Sequence, residues 1–103
     1  MAIIEVNKDN FEDEVLKSNV PVLADFNAEW CGPCRAMKPM LEEIAKSDPG
    51  YKIVSIDIDD QDELAEDYEV SSIPCLVVFR DGEEVNRSVG LISRDAIAEL
   101  MEG

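Results

Sequence analysis

Histidine is absent from the 103 residues, which excludes Ser-His and Cys-His nucleophile pairs and the hydrolase chemistry they carry. Basic residues are scarce: 9 Lys and Arg stand against 24 Asp and Glu, a formal charge of -15. A surface of that sign repels phosphate backbones and anionic lipids, so nucleic acid and membrane are poor partners. No apolar stretch is long enough to span a bilayer, and Met1 to Val6 lacks the basic flank and apolar length of a secretion signal. A cytoplasmic protein is therefore expected. Cysteine is sparse and odd in number. Three residues, two of them only three apart, cannot make the disulfide scaffold of a small secreted domain, and they read instead as reactive or metal-binding thiols.

What is present fits one domain over residues 1–103, since a 46% hydrophobic content fills a single core at this length. No repeat, low-complexity stretch or Pro/Ser-rich linker marks a boundary. The negative charge is spread along the chain. It serves either as a solvated surface or as a field that steers the protein to partners with basic docking patches.

Hydrophobic periodicity supplies the elements. Ile3 to Val6 is a short strand, and Asp9 followed by Glu12 opens a helix with Phe11, Val15 and Leu16 on one face, ending near Ser18. Val20 to Phe26 is a nearly continuous apolar run, the pattern of a strand covered on both faces, with Asp25 its one charged member. From Pro33 to Ser47 the residues Met37, Met40, Leu41 and Ile44 recur at helical spacing, with Pro39 expected to kink the helix, and Ser47-Asp48-Pro49-Gly50 ends it. Ile53 to Ile58 alternates as a strand, Gln61 to Tyr68 is a short helix, and Cys75 to Phe79 is a buried strand. Asp81-Gly82 is a hairpin signal leading into Glu84 to Val89, after which Ser93 caps a last helix carrying Ile97, Leu100 and Met101. The order β-α-β-α-β-α-β-β-α implies an α/β fold: a central mixed β-sheet flanked by helices on both faces.

Trp30-Cys31-Gly32-Pro33-Cys34-Arg35 falls at the junction of the apolar strand and the Pro39 helix. At a helix N-terminus the unpaired backbone N–H groups favour a thiolate, so Cys31 is the better nucleophile, while Cys34, one turn further in, is shielded. The spacing lets the two sulfurs close a small disulfide ring, so Cys34 can resolve a mixed disulfide formed at Cys31. Pro33 is tolerated where the first turn has spare N–H groups, and Gly32 leaves space beside the attacking sulfur. The competing reading is a zinc site. Zinc needs four ligands, and there is neither a second cysteine pair nor a histidine to complete them.

With Ala24-Asp25-Phe26, the Trp30 to Cys34 motif, Pro39, Ser72-Ile73-Pro74, Asp81-Gly82 and Val89-Gly90, nearly the whole chain resembles the thioredoxin family. The resemblance implies a thioredoxin fold and reduction of protein disulfides, with Cys31 and Cys34 as the redox-active disulfide and no bound cofactor. Electrons would come from a separate thioredoxin reductase, the other partners would be disulfide-containing proteins, and the chain would act as a monomer. Two rivals are a disulfide oxidant or isomerase on the same fold, against which the Gly-Pro between the cysteines argues, and a binding module whose thiols are incidental.

The resemblance also distributes roles. Asp25, costly to bury unpaired, becomes the proton acceptor for Cys34, against the alternative of a strand-end carboxylate facing water beside Asn27. Ser55 stands where many members carry a Lys near this Asp. The Ile73-Pro74 bond is implied to be cis, although the frequency of X-Pro bonds alone favours trans. Trp30, Gly32, Pro33, Ile73, Pro74 and Gly90 would contact the substrate chain. Arg35 either adds positive charge near the thiolate or is solvated. Cys75, where Thr commonly follows the Pro, is either a small buried hydrophobe or a third redox thiol.

Overall fold

Val22–Asn27 forms the central strand, β2, because its side chains meet apolar partners on both sides. Val22, Ala24 and Phe26 point to one face and Leu23 to the other, and all four are fully buried. The computed structural model describes residues 2–103, and its remaining strands are β1 (Ile4–Glu5), β3 (Lys52–Asp57), β4 (Cys75–Arg80) and β5 (Glu83–Val89). They assemble in the order β1-β3-β2-β4-β5. β1 and β2 run parallel to β3, while β4 runs antiparallel to both β2 and β5. The sheet is mixed, as the element order implied.

Helices cover both faces. α1 (Gly32–Lys46) and α3 (Arg94–Glu102) pack Met37, Leu41, Ile44, Ile97 and Leu100 over Leu23, Leu76 and Val78. On the opposite face α2 (Asp62–Asp67) and an N-terminal helical turn pack over Ala24, Phe26 and Val77. Burying each such Leu or Phe contributes roughly 1.5–3 kcal/mol. Phe11, Tyr68 and Phe79 add an aromatic cluster here, with Tyr68 and Phe79 edge-to-face at 5.3 Å.

Local signals place most boundaries. Ser93 Oγ accepts from the Ala96 amide at 3.1 Å, capping α3 as its position predicted. Asp81 and Gly82 both take positive φ, 53° and 81°, the pair of values a two-residue hairpin needs. α1 runs unbroken through Pro39.

The N-terminal helix departs from expectation. It is a π-type turn over Glu12–Leu16, closed by the Lys17 amide donating to Glu12 O at 2.8 Å, and its capping begins at Asn7 rather than Asp9. Asn7 Oδ1 accepts from the Asp9 and Asn10 amides while Asn10 Oδ1 takes the Asn7 amide at 2.7 Å. This reciprocal pair does the work of a capping box, and Asp9 is left exposed.

Candidate active site

β2 ends at Asn27 and the chain turns through Ala28, Glu29 and Trp30 before entering α1, so the cysteine pair leaves directly from the middle of the sheet. Cys31 is the N-cap of α1, with extended backbone, and its Sγ accepts the Cys34 amide at 3.2 Å. Gly32 and Pro33 fill the first turn, and no acidic residue lies there to oppose a thiolate. Cys31 and Cys34 are joined as a disulfide, with Cα atoms 5.2 Å apart. Exposure does not separate the two as shielding of Cys34 alone would require: each is 5% exposed, packed with Ala28 against Ile58 and Ile73. What separates them is position. Cys31 Sγ lies at the helix end, 3.9 Å from Ile73 O, whereas Cys34 lines a cleft of about 830 Å³ between α1 and β3.

Asp25 lines the same cleft. It pairs with Ser55 of β3 and Leu76 of β4, is 7% exposed, and does not face water as a strand-end carboxylate would. Burial pushes its pKa up to about 7; Glu5 adds to the rise, while the hydrogen bond from Asn27 and the charge of Lys38 oppose it. Asn27 Nδ2 donates to Asp25 O at 2.8 Å, to Asp25 Oδ2 at 3.3 Å and to Ser55 Oγ at 2.8 Å. Among the described residues Asp25 Oδ1 has no protein partner. Ser55 therefore sits beside Asp25, as the resemblance placed it.

Beside the cysteines an apolar rim is exposed: Trp30 is 65% accessible, Val89 56% and Leu91 52%. The Trp30 indole donates to Asp59 Oδ2 at 2.8 Å, which holds the ring over the surface rather than in the core. The Ile73-Pro74 bond is cis, as the resemblance implied against the bare X-Pro frequency. Gly90, with φ 99° and open space where a Cβ would stand, donates its amide to Pro74 O at 2.8 Å. Trp30, Ile73, Pro74 and Gly90 are thus gathered around the pair. Val89, the last residue of edge strand β5, and Leu91 just beyond it were not anticipated, although as apolar neighbours of Gly90 they were detectable.

Two residues with open alternatives find places. The Arg35 guanidinium donates to Glu29 O at 2.9 Å and is exposed, which ties it to the loop preceding the motif. Cys75 is free and 1% exposed, packed in the face that carries Phe26 and Val77, and burial pushes its thiol pKa up.

A cysteine pair at the N-terminus of a helix that leaves the central strand of a mixed five-stranded sheet, with a buried carboxylate behind it, defines a thiol-disulfide oxidoreductase. The family model described as Thioredoxin matches residues 2–103, and the chain belongs to the thioredoxin family. It is 47% identical to the thioredoxin of Chlamydia trachomatis over 96 residues, covering 93% of this chain and 92% of that protein. It is 44% identical to the thioredoxin of Staphylococcus saprophyticus over 103 residues, covering 99% and 97%. Among solved structures, a point-mutant thioredoxin from Halobacterium salinarum superposes with a TM-score of 0.89 at 37% identity, covering 98% of this chain and 88% of that one. The expected thioredoxin fold and dithiol-disulfide chemistry are borne out. The redox group is the protein's own disulfide, and no cluster of metal-binding side chains occurs among the described residues. No helix among them is long and apolar enough to cross a membrane.

Proposed function

We propose that the chain works as one domain that reduces protein disulfides, with Cys31 as nucleophile, Cys34 as resolving thiol and Asp25 as proton acceptor. The carrying observation is the division of the pair: Cys31 caps α1, while Cys34 shares its cleft with Asp25. In the reduced protein the Cys31 thiolate attacks one sulfur of the target disulfide, that S–S bond breaks, and the first target thiolate leaves. A mixed disulfide now links Cys31 to the target. Cys34 passes its proton to the Asp25 carboxylate and attacks Cys31 Sγ; the Cys31–Cys34 bond forms and the second target thiolate departs, taking a proton from solvent. Two electrons have moved from the pair to the target. A carboxyl with a pKa of about 7 is matched to this task, since it accepts and returns a proton near neutral pH.

Trp30, Gly32, Pro33, Ile73, Pro74 and Gly90 hold an extended target segment, with the apolar rim supplying contact area and the peptide groups near Pro74 supplying hydrogen bonds. A separate thioredoxin reductase returns the electrons, the protein acts as a monomer in the cytoplasm, and it uses no bound cofactor. Burial and the raised thiol pKa support a packing role for Cys75 rather than that of a third redox thiol. The test is acceleration of insulin reduction by dithiothreitol, with Cys31→Ser alongside. Rapid reduction abolished by the substitution is expected; no acceleration by the intact protein would favour the binding-module reading.

A further inference from the structure

Asn27 is held far more tightly than a water-facing residue at a strand end would be. It lies two positions after Asp25 on the same strand, so the two side chains share a face. Its amide nitrogen is surrounded by three oxygens, of which the Asp25 carbonyl and an ionised Asp25 carboxylate can only accept; that chemistry fixes which end of the amide faces them. The third, Ser55 Oγ, belongs to β3, so the amide is anchored to the neighbouring strand and cannot swing away without breaking the 2.8 Å bond to it.

We propose that Asn27 is the positioning residue for the buried carboxylate, a bracket that spans β2 and β3 and holds Asp25 toward Cys34. The inference rests on the reading of Asp25 as proton acceptor. Among the described residues Asn27 supplies the one side-chain hydrogen bond to the carboxylate, through Oδ2, which leaves Oδ1 to receive a proton. The other charged groups act on it only through their fields. Glu5 on β1 opposes its charge and Lys38 on α1 favours it, with Cys34 on the same helix. Asp57 and Asp60 line the cleft from β3 and the loop after it, while Glu29, Arg35, Glu42 and Lys46 line it from the side of α1. A donor at hydrogen-bond distance discriminates ionised from neutral carboxyl more sharply than these do, because it contacts the oxygen that carries the charge. Removing it disfavours the ionised form.

The decisive experiment follows the Asp25 carboxyl directly, by 13C NMR titration of the oxidised protein, in Asn27→Leu and Asn27→Ala. The alanine variant adds no atoms, so it carries the test if leucine is not accommodated. Both should move the titration midpoint alkaline by about 1 pH unit, a ~10-fold change in the ionisation constant. The ascending limb of the pH profile for resolution of a Cys31 mixed disulfide should move in parallel. In an Asp25→Asn background neither substitution should shift that profile further. A carboxyl that titrates at its original midpoint in both variants overturns the inference. A midpoint that moves while the kinetic limb stays fixed supports the bracket and refutes the catalytic role of Asp25 instead, so the two failures are distinguishable.

Discussion

Replacing Asp25 with Asn should make the protein markedly more stable, and by an amount that depends on pH. The folded-state pKa of about 7 lies well above the ordinary carboxyl value of 3.8, so the folded protein binds this proton more tightly than the unfolded chain does. Below pH 3.8 the carboxyl is neutral in both states and costs nothing through ionisation. Between pH 3.8 and about 7 the unfolded state ionises while the folded state does not, and stability falls as pH rises. Above about 7 the whole penalty is present. At ~1.36 kcal/mol per pH unit the difference amounts to about 4 kcal/mol, a large share of the roughly 5–15 kcal/mol that typically separates folded from unfolded states. Urea unfolding of the oxidised form, in which Cys34 does not titrate, isolates the carboxyl. With a slope of ~2 kcal/mol/M, Asp25→Asn should raise the midpoint by about 2 M near pH ~8.5 and by little near pH ~4. A gain that is equal at both pH values would refute the reasoning, since it would then come from packing and not from ionisation.

Further outcomes can be checked on the same material. Ser93→Ala, which removes the acceptor of the Ala96 amide, should cost about 1 kcal/mol in urea unfolding. Gly82→Ala should cost more, because a Cβ there would stand 2.9 Å from Leu16 O on a backbone with φ 81°; thermal melting is the measurement. Cys75→Ser should leave the rate of insulin reduction and its sensitivity to peroxide unchanged, and a lost peroxide response would show that the thiol is oxidised in place. The rate of reduction of a basic disulfide peptide should fall steeply between about 0.01 M and about 0.15 M salt if the charge of -15 steers encounter, as the Debye length shortens from ~30 to ~8 Å.

Much of this arrangement was legible in the chain itself. β2, the Trp30 to Cys34 motif and the Ser93 cap each carry their cause within a few residues, and each occurs where the local pattern put it. Buried Asp25 was readable for the same reason, as the one charge in an apolar run. The N-terminal turn was not, because Asn7 and Asp9 are both competent caps and the reciprocal bond to Asn10 decides between them only once the chain has bent. The role of Asn27 depends on the β2–β3 register, a long-range property that no stretch of sequence encodes alone. Its period-two spacing from Asp25 was the available signal. The cleft has the same origin: the residues lining it come from β1, β2, α1 and β3, which are distant parts of the chain.

The single tryptophan, held at the rim by Asp59, divides the molecule optically. Its indole is mostly in water beside the disulfide, while Tyr68 is half-buried and in ring contact with Phe11 and Phe79 on the sheet face away from α1 and α3. Excitation selective for indole therefore interrogates the apolar rim alone, and far-ultraviolet dichroism, dominated by the backbone, interrogates the sheet and helices. An event that alters one signal and leaves the other untouched is thereby assigned to the rim or to the sheet and helices without any label being introduced.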